Sequence, residues 1–198
     1  MLEKSPHFYL HLPTQPPPAE QKRAIFLDRD GVLIKNVPYL NDPEGVELLP
    51  NVVEGLQLLQ QHYLLVVATN QSGIARGYLD EGILLEIHKR LYQQLGERGV
   101  YLHALFYCPH LPHGSVPAYS VCCDCRKPKA GLLLQAAQLF GLDLPSCWMI
   151  GDQVRDIQAG QNAQTRAILI TPRPPSSFQG LWAFHLKAAA ERILSDSL

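Results

Sequence analysis

Two acids two residues apart, Asp28 and Asp30, stand directly after the apolar run Ala24-Ile25-Phe26-Leu27. If the backbone turns there, both carboxylates can face one cleft, and Gly31 permits the turn and a close backbone approach. Like charges that close repel unless a proton or a cation separates them. A hard cation such as Mg²⁺ suits the place, because it takes carboxylate oxygens and keeps waters and phosphate oxygens as its other ligands. It would keep Asp28 ionised and screen it against an incoming anion, leaving Asp28 able to act as a nucleophile. Asp30 is then placed to protonate a leaving oxygen and later to take a proton from water. Alone, Asp-x-Asp is more often a solvated turn.

Further polar groups follow other apolar runs. Thr69 offers a hydroxyl, and the Asn70 to Gly73 backbone offers N–H groups at what reads as a helix start, together a phosphate cradle. Lys127 supplies a point charge that can neutralise phosphate and nucleophile. Asp152, after Gly151, offers another oxygen to a metal, with Asp156 one helical turn on as a supporting acid.

These groups need a scaffold that brings strand ends together. Ala24–Leu27, Leu64–Ala68, Leu105–Tyr107, Cys147–Ile150 and Arg166–Ile170 read as buried strands. Between them lie amphipathic stretches: one after Asn51 carrying Val52, Leu56 and Leu59, and one after Asp80 carrying Ile83, Ile87, Leu91 and Leu95 and ending near Gly99. Leu132–Phe140, Val154–Asn162 and Leu186–Leu194 complete the set. Strands alternating with helices predict an α/β fold, a doubly wound parallel sheet covered on both faces, with ligands beyond the carboxyl ends of its strands. Asp28-Arg29-Asp30, Thr69-Asn70, Cys108 and Gly151-Asp152 each sit at such an end. Roughly 40 residues separate the first two clusters, and a helix with its loops uses most of them, which leaves no room for a large cap domain. Residues 1–23, with the run Pro16-Pro17-Pro18, read as an extended tail, and 24–198 as one domain.

A cysteine-rich loop spans 108–125. Cys108-Pro109-His110 is followed by Cys122-Cys123-Asp124-Cys125. Cys-x-His with Cys-x-Cys suits a closed tetrahedral Zn²⁺ site, structural because four protein ligands leave no open position. Cys122 and His113 are surplus, and Cys147 reads as strand core. The loop runs straight into Arg126-Lys127, so the metal would pin the segment that delivers the lysine and would support Arg126 for the rest of the substrate.

With 46% hydrophobic and 18% charged residues and a formal net charge of -1, the composition is that of an ordinary globular chain with no basic field for nucleic acid. No stretch approaches the ~18 apolar residues of a membrane span, and the N-terminus has no secretory apolar region. The expectation is a cytoplasmic monomer acting on a small molecule.

As an ordered set, DRDGV, VVATN, Lys127 in RKP and GDQVRD resemble the four motifs of the haloacid-dehalogenase-like (HAD-like) phosphatase superfamily over about Ala24 to Thr171. The resemblance implies a Mg²⁺-dependent phosphatase working through an aspartyl-phosphate on Asp28. It implies Mg²⁺ on Asp28, the Asp30 backbone carbonyl and Asp152, and phosphoryl oxygens held by Thr69, Asn70 and Lys127. An acid two residues after the nucleophile marks the superfamily's phosphatases. The cysteine loop, with TNQSGIARG upstream, is similar to that of heptose 1,7-bisphosphate 7-phosphatases. Carried over by position, this implies the zinc ligands Cys108, His110, Cys123 and Cys125, and a small phosphorylated sugar as substrate. Histidinol-phosphate phosphatases share CPH and CDCRKP but usually have a shorter loop. A zinc-stabilised interaction module with a degenerate site is the alternative from another class. Two positions depart from the pattern: Val32 replaces a commoner threonine, and Gln153 stands where the heptose enzymes usually have lysine.

Overall fold

The computed structural model describes residues 21–196 and the backbone of 2–5 and 8–11. In chain order the strands are β1 (Leu2–Ser5), β2 (Phe8–His11), β3 (Ala24–Leu27), β4 (Leu64–Asn70), β5 (Ala104–Cys108), β6 (Trp148–Gly151), β7 (Arg166–Ile170) and β8 (Leu181–Ala183). The helices are α1 (Val52–Leu59), α2 (Glu81–Gly96), α3 (Gly131–Phe140), α4 (Val154–Asn162) and α5 (Leu186–Ser195). The strands form one sheet of order β1-β2-β5-β4-β3-β6-β7-β8, parallel from β5 to β8.

Strands β3 to β6 are almost wholly apolar and buried, as strands covered on both faces must be. One apolar layer joins α1, α2 and α5 to the sheet through residues such as Leu56, Ile87, Leu91 and Ile193. The other joins α3 through Leu132, Leu133 and Ala136 to Phe26, Phe106 and Met149. The chain steps from β3 outward to β4 and β5, then returns to the other flank of β3 as β6. The strand order therefore reverses between β3 and β6, the switch point where open α/β sheets bind ligands. Asp28 and Asp152 leave the sheet on either side of it. Between β3 and β4 the chain holds α1 and a loop closed by the bridges Asp30 to Ile34 and Ile34 to Leu48, with no large cap.

The five expected strands and five expected helices are present, and the structure differs at four places. Within the expected tail, Leu2–Ser5 pairs antiparallel with Phe8–His11, which continues the sheet at β5; the Pro16–Pro18 run lies outside the described residues. Strand β8 was not expected, because three residues are too few to show a period. Asn51 precedes α1 in a left-handed conformation and makes no side-chain cap, whereas Asp80 accepts the Ile83 N–H at 2.8 Å as a cap should. No helix starts at Asn70. Residues 72–77 form turns, and α2 begins only at Glu81.

Candidate active site

Asp28 follows β3, where its own N–H donates to Ile150 O on β6 at 2.9 Å and stitches the two sides of the switch point together. Gly31 turns the chain with φ +80, and a Cβ there would collide with Asp152 Oδ2, so only glycine lets the two carboxylates share the space. Gly151 has the same function for Asp156: a Cβ on it would overlap the Asp156 side chain. The Asp156 carboxylate accepts the Gln153 N–H at 3.0 Å, tying the start of α4 to the end of β6.

Lys127 enters from the loop before α3. Its Nζ lies 3.1 Å from Asp28 Oδ1 and 2.7 Å from Asp156 Oδ1, with Lys127 and Asp156 both buried. Burial alone would discharge the amine, but the Coulomb attraction of Asp28 and Asp156 outweighs it and holds its pKa above the ordinary value. Loss of solvent pushes Asp152 up to about 6, against a hydrogen bond from Gln153, with repulsion from Asp28 and Asp156 adding to the rise. Burial likewise raises Asp156. Oxygens of Asp28, Asp152 and Asp156 all lie within 4.8 Å of one another. Three carboxylates thus face a single ammonium, and such a hard-oxygen donor set fits a small divalent cation. Both Asp156 oxygens are engaged, by Lys127 and by the Gln153 N–H, whereas the bonds to Asp28 and to Asp152 fall on one oxygen of each.

The other expected residues line or flank the same cleft, about 370 Å³ in volume. Thr69 is buried beside it and accepts from Gln71 Nε2 at 3.0 Å, so its own hydroxyl hydrogen remains for another acceptor. Asn70 differs from expectation. Its Oδ1 accepts the Lys127 N–H at 3.0 Å and its Nδ2 donates to Lys127 O at 3.1 Å, so the side chain first of all clamps the lysine loop. Arg126 donates from Nη1 to His110 O at 3.1 Å and lines the cleft, as do Gln153 and the exposed Arg155. Arg76 and Tyr39, which sequence reasoning passed over, form another wall, with the guanidinium carbon 5.6 Å from the ring centroid. Arg29, Gln71 and His88 were also missed. They bind Asp30 or one another beneath the cleft. A signal existed for Gln71, which stands one residue past the end of β4 and two after Thr69.

Behind Arg126, one nitrogen and three sulfurs converge. Cys108 and Cys123 Sγ are 3.6 Å apart, Cys123 and Cys125 3.3 Å, and His110 Nδ1 lies 3.4 Å from Cys125 Sγ. Metal–sulfur bonds of about 2.3 Å give tetrahedral edges of about 3.8 Å, so this spacing fits one zinc-sized ion. A hydrogen bond from Cys123 favours the Cys108 thiolate, but a bond to Cys125, burial and repulsion outweigh it and push Cys108 up to about 12. A cation would reverse that balance. Cys122 and His113 are exposed outside the cluster. Cys147 packs in the core, its sulfur accepting the Ala24 N–H at 3.2 Å.

The HAD-hydrolase-like family model matches residues 124–172. A D-glycero-β-D-manno-heptose-1,7-bisphosphate 7-phosphatase of Pasteurella multocida is 41% identical over 161 residues, covering 80% of this chain and 87% of the relative. The protein of that name from Yersinia pestis is 38% identical, covering 87% and 90%. Among solved structures, a D,D-heptose 1,7-bisphosphate phosphatase from B. bronchiseptica complexed with magnesium and phosphate superposes with TM-score 0.75 at 31% identity, covering 89% and 99%. A putative HAD-like phosphatase from Mesorhizobium loti superposes with TM-score 0.84 at 28% identity, covering 96% of each chain.

Because Gly151 leaves no space beside Asp156, Gly151→Ala is expected to push Asp156 off Lys127. Chemical denaturation should register a loss of about 1–3 kcal/mol, the usual cost of overpacking, with phosphatase activity falling alongside it.

Proposed function

The chain belongs to the family of HAD-like phosphatases that these relatives form, and on that footing we propose that it removes the 7-phosphate of D-glycero-D-manno-heptose 1,7-bisphosphate. The observation that carries the chemistry is the buried Lys127 ammonium between Asp28 and Asp156, which sets a positive charge 3.1 Å from the Asp28 carboxylate in the wall of the cleft. Asp28, the Asp30 backbone carbonyl and Asp152 would hold Mg²⁺, which when bound screens nucleophile and phosphate from each other and stabilises charge on the phosphoryl oxygens. Asp28 attacks phosphorus in line with the departing ester oxygen. Lys127 and the Thr69 hydroxyl hold phosphoryl oxygens, and one Asn70 amide hydrogen remains for the same use. Asp30 gives its proton to the leaving oxygen and later takes one from the water that frees Asp28.

Arg126, on the rim next to Lys127, is the group this reading assigns to the sugar's distal phosphate, with Arg76 and Arg155 as further cations along the cleft. Gln153 cannot supply the positive charge that lysine would, and it donates instead to Asp152 Oδ2 at 3.0 Å. Cys108, His110, Cys123 and Cys125 would hold Zn²⁺, whose part is to fix the loop ending at Arg126 and Lys127. Thiols kept for a metal suit a reducing compartment, so the reading places the reaction in the cytoplasm. Among the described residues no helix is long and apolar enough to cross a membrane.

Three measurements test this reading. Asp28→Asn should abolish turnover while the melting temperature stays within a few degrees of wild type; appreciable residual activity would reject Asp28 as nucleophile. Cys123→Ser should lose stoichiometric zinc, by elemental analysis, and melt several degrees lower. A mutant that keeps its melting point and its metal would sink the structural assignment. With Mg²⁺ present, kcat/KM for heptose 1,7-bisphosphate should exceed that for histidinol phosphate at least tenfold, about 1.4 kcal/mol of transition-state binding. The opposite preference would reassign the substrate.

A further inference from the structure

We infer that Arg29 and Gln71 are positioning residues for the Asp30 carboxyl group, with His88 holding Arg29 in place. This rests on the reading of Asp30 as the proton shuttle. Arg29 is only 1% exposed, although it stands between two acids at the mouth of a polar cleft. Its Nε and Nη2 donate to Asp30 Oδ1 at 3.2 and 3.0 Å, and Nη2 also reaches Oδ2 at 2.9 Å. Gln71 closes the ring: its Nε2 donates to Asp30 Oδ2 at 2.8 Å and its Oε1 accepts from Arg29 Nη2 at 3.0 Å. Both carboxyl oxygens are therefore gripped, yet the Asp30 side chain keeps 22% of its surface open.

The support extends away from the cleft. Arg29 Nη1 faces Nε2 of His88, a fully buried residue of α2, at 3.2 Å. A guanidinium has donors only, so His88 Nε2 must accept, which makes the ring neutral with its proton on Nδ1. From α2 through Arg29 to Asp30 the contacts form one continuous chain. For stability alone the arrangement is poor, because burying a guanidinium is costly and apolar residues of similar volume are often as good or better. Its return lies in orientation. A proton donor must sit within hydrogen-bond reach of the leaving oxygen and point along it, and a short acid on a turn has free torsions that would otherwise blur that aim.

The step that needs this aim is the first. Asp28 Oδ forms a bond to phosphorus as the ester P–O bond breaks, and the electron pair leaves with the ester oxygen, which takes the Asp30 proton and departs as an alcohol. Water then attacks the aspartyl-phosphate and gives a proton to Asp30, while the Asp28 carboxylate leaves. The sum is ester plus water to alcohol plus phosphate. An alkoxide cannot depart without that proton, whereas p-nitrophenolate is stable as an anion and can. Since kcat/KM reports steps only through formation of the phospho-enzyme, comparing leaving groups isolates the delivery of the proton.

The experiment measures kcat/KM of the full chain with Mg²⁺ for heptose 1,7-bisphosphate and for p-nitrophenyl phosphate. Asp30→Asn should lose about 10²- to 10⁴-fold on the sugar ester and far less on the aryl ester. Equal losses on both would remove the underlying reading of Asp30. Given that selectivity, Gln71→Leu and Arg29→Met should each lose at least tenfold more on the sugar ester than on the aryl ester. His88→Gln, whose Oε1 can still accept from Arg29, should keep the wild-type ratio, and His88→Leu should not. If Arg29→Met does not fold, Gln71→Leu decides, since it strands no buried charge. Equal losses on the two esters in Gln71→Leu, beside a selective Asp30→Asn, would overturn the positioning role and leave a merely structural network.

Discussion

One buried ammonium organises this molecule. Lys127 sits between Asp28 and Asp156, at 3.1 and 2.7 Å, where water is nearly excluded. In such surroundings an unpaired charge costs several kcal/mol, so Lys127 needs acidic partners, and Asp28 and Asp156 each supply one. Each comes from a different part of the chain: the end of β3, the first turn of α4, and the loop before α3. Their convergence fixes how those three segments meet at the sheet edge. Asn70 reinforces it by gripping the Lys127 backbone from β4 through both ends of its amide. The interaction that holds the site in shape also sets a cation against the Asp28 carboxylate.

Shape around that point is set by what is missing as much as by what is present. Gly31 and Gly151 have no Cβ where Asp152 and Asp156 must pass, so the carboxylates crowd together in a way no larger residue would allow. Burial, with mutual repulsion adding to it, raises Asp152 and Asp156, and the site gains an affinity for positive charge that matches a small cation. A few residues up the chain, the Cys108, His110, Cys123 and Cys125 cluster gathers softer atoms at the spacing of a metal site. It closes a long loop close to the lysine, and a closed loop loses less entropy when it positions its end.

Much of this was legible in the residues themselves. Short branched runs between amphipathic stretches reported the alternating strands and helices, because burial on both faces demands continuous apolar strands. Asp28, Thr69 and Asp152, each at the end of such a run, reported a common edge, because parallel strands all present their carboxyl ends to one side. Spacing in Cys-x-His and Cys-x-Cys reported a metal-sized cluster, since its members are near in sequence and their reach is short.

What the residues could not report were partners chosen by the sheet. Arg29 and His88 are 59 positions apart, and Asn70 and Lys127 57. Nothing local distinguishes these from an exposed arginine, a core histidine or a phosphate-binding amide. The β1–β2 pair at the β5 edge and the short β8 also escaped, because β1 carries two charged residues instead of an apolar run and the three residues of β8 are too few to reveal a period. Composition and spacing determined which chemistry was available and on which edge it would gather. Strand order and side-chain rotamers decided which group holds which, because hydrogen bonds and ion pairs act over about 3 Å and only the folded chain brings such distant residues within that range.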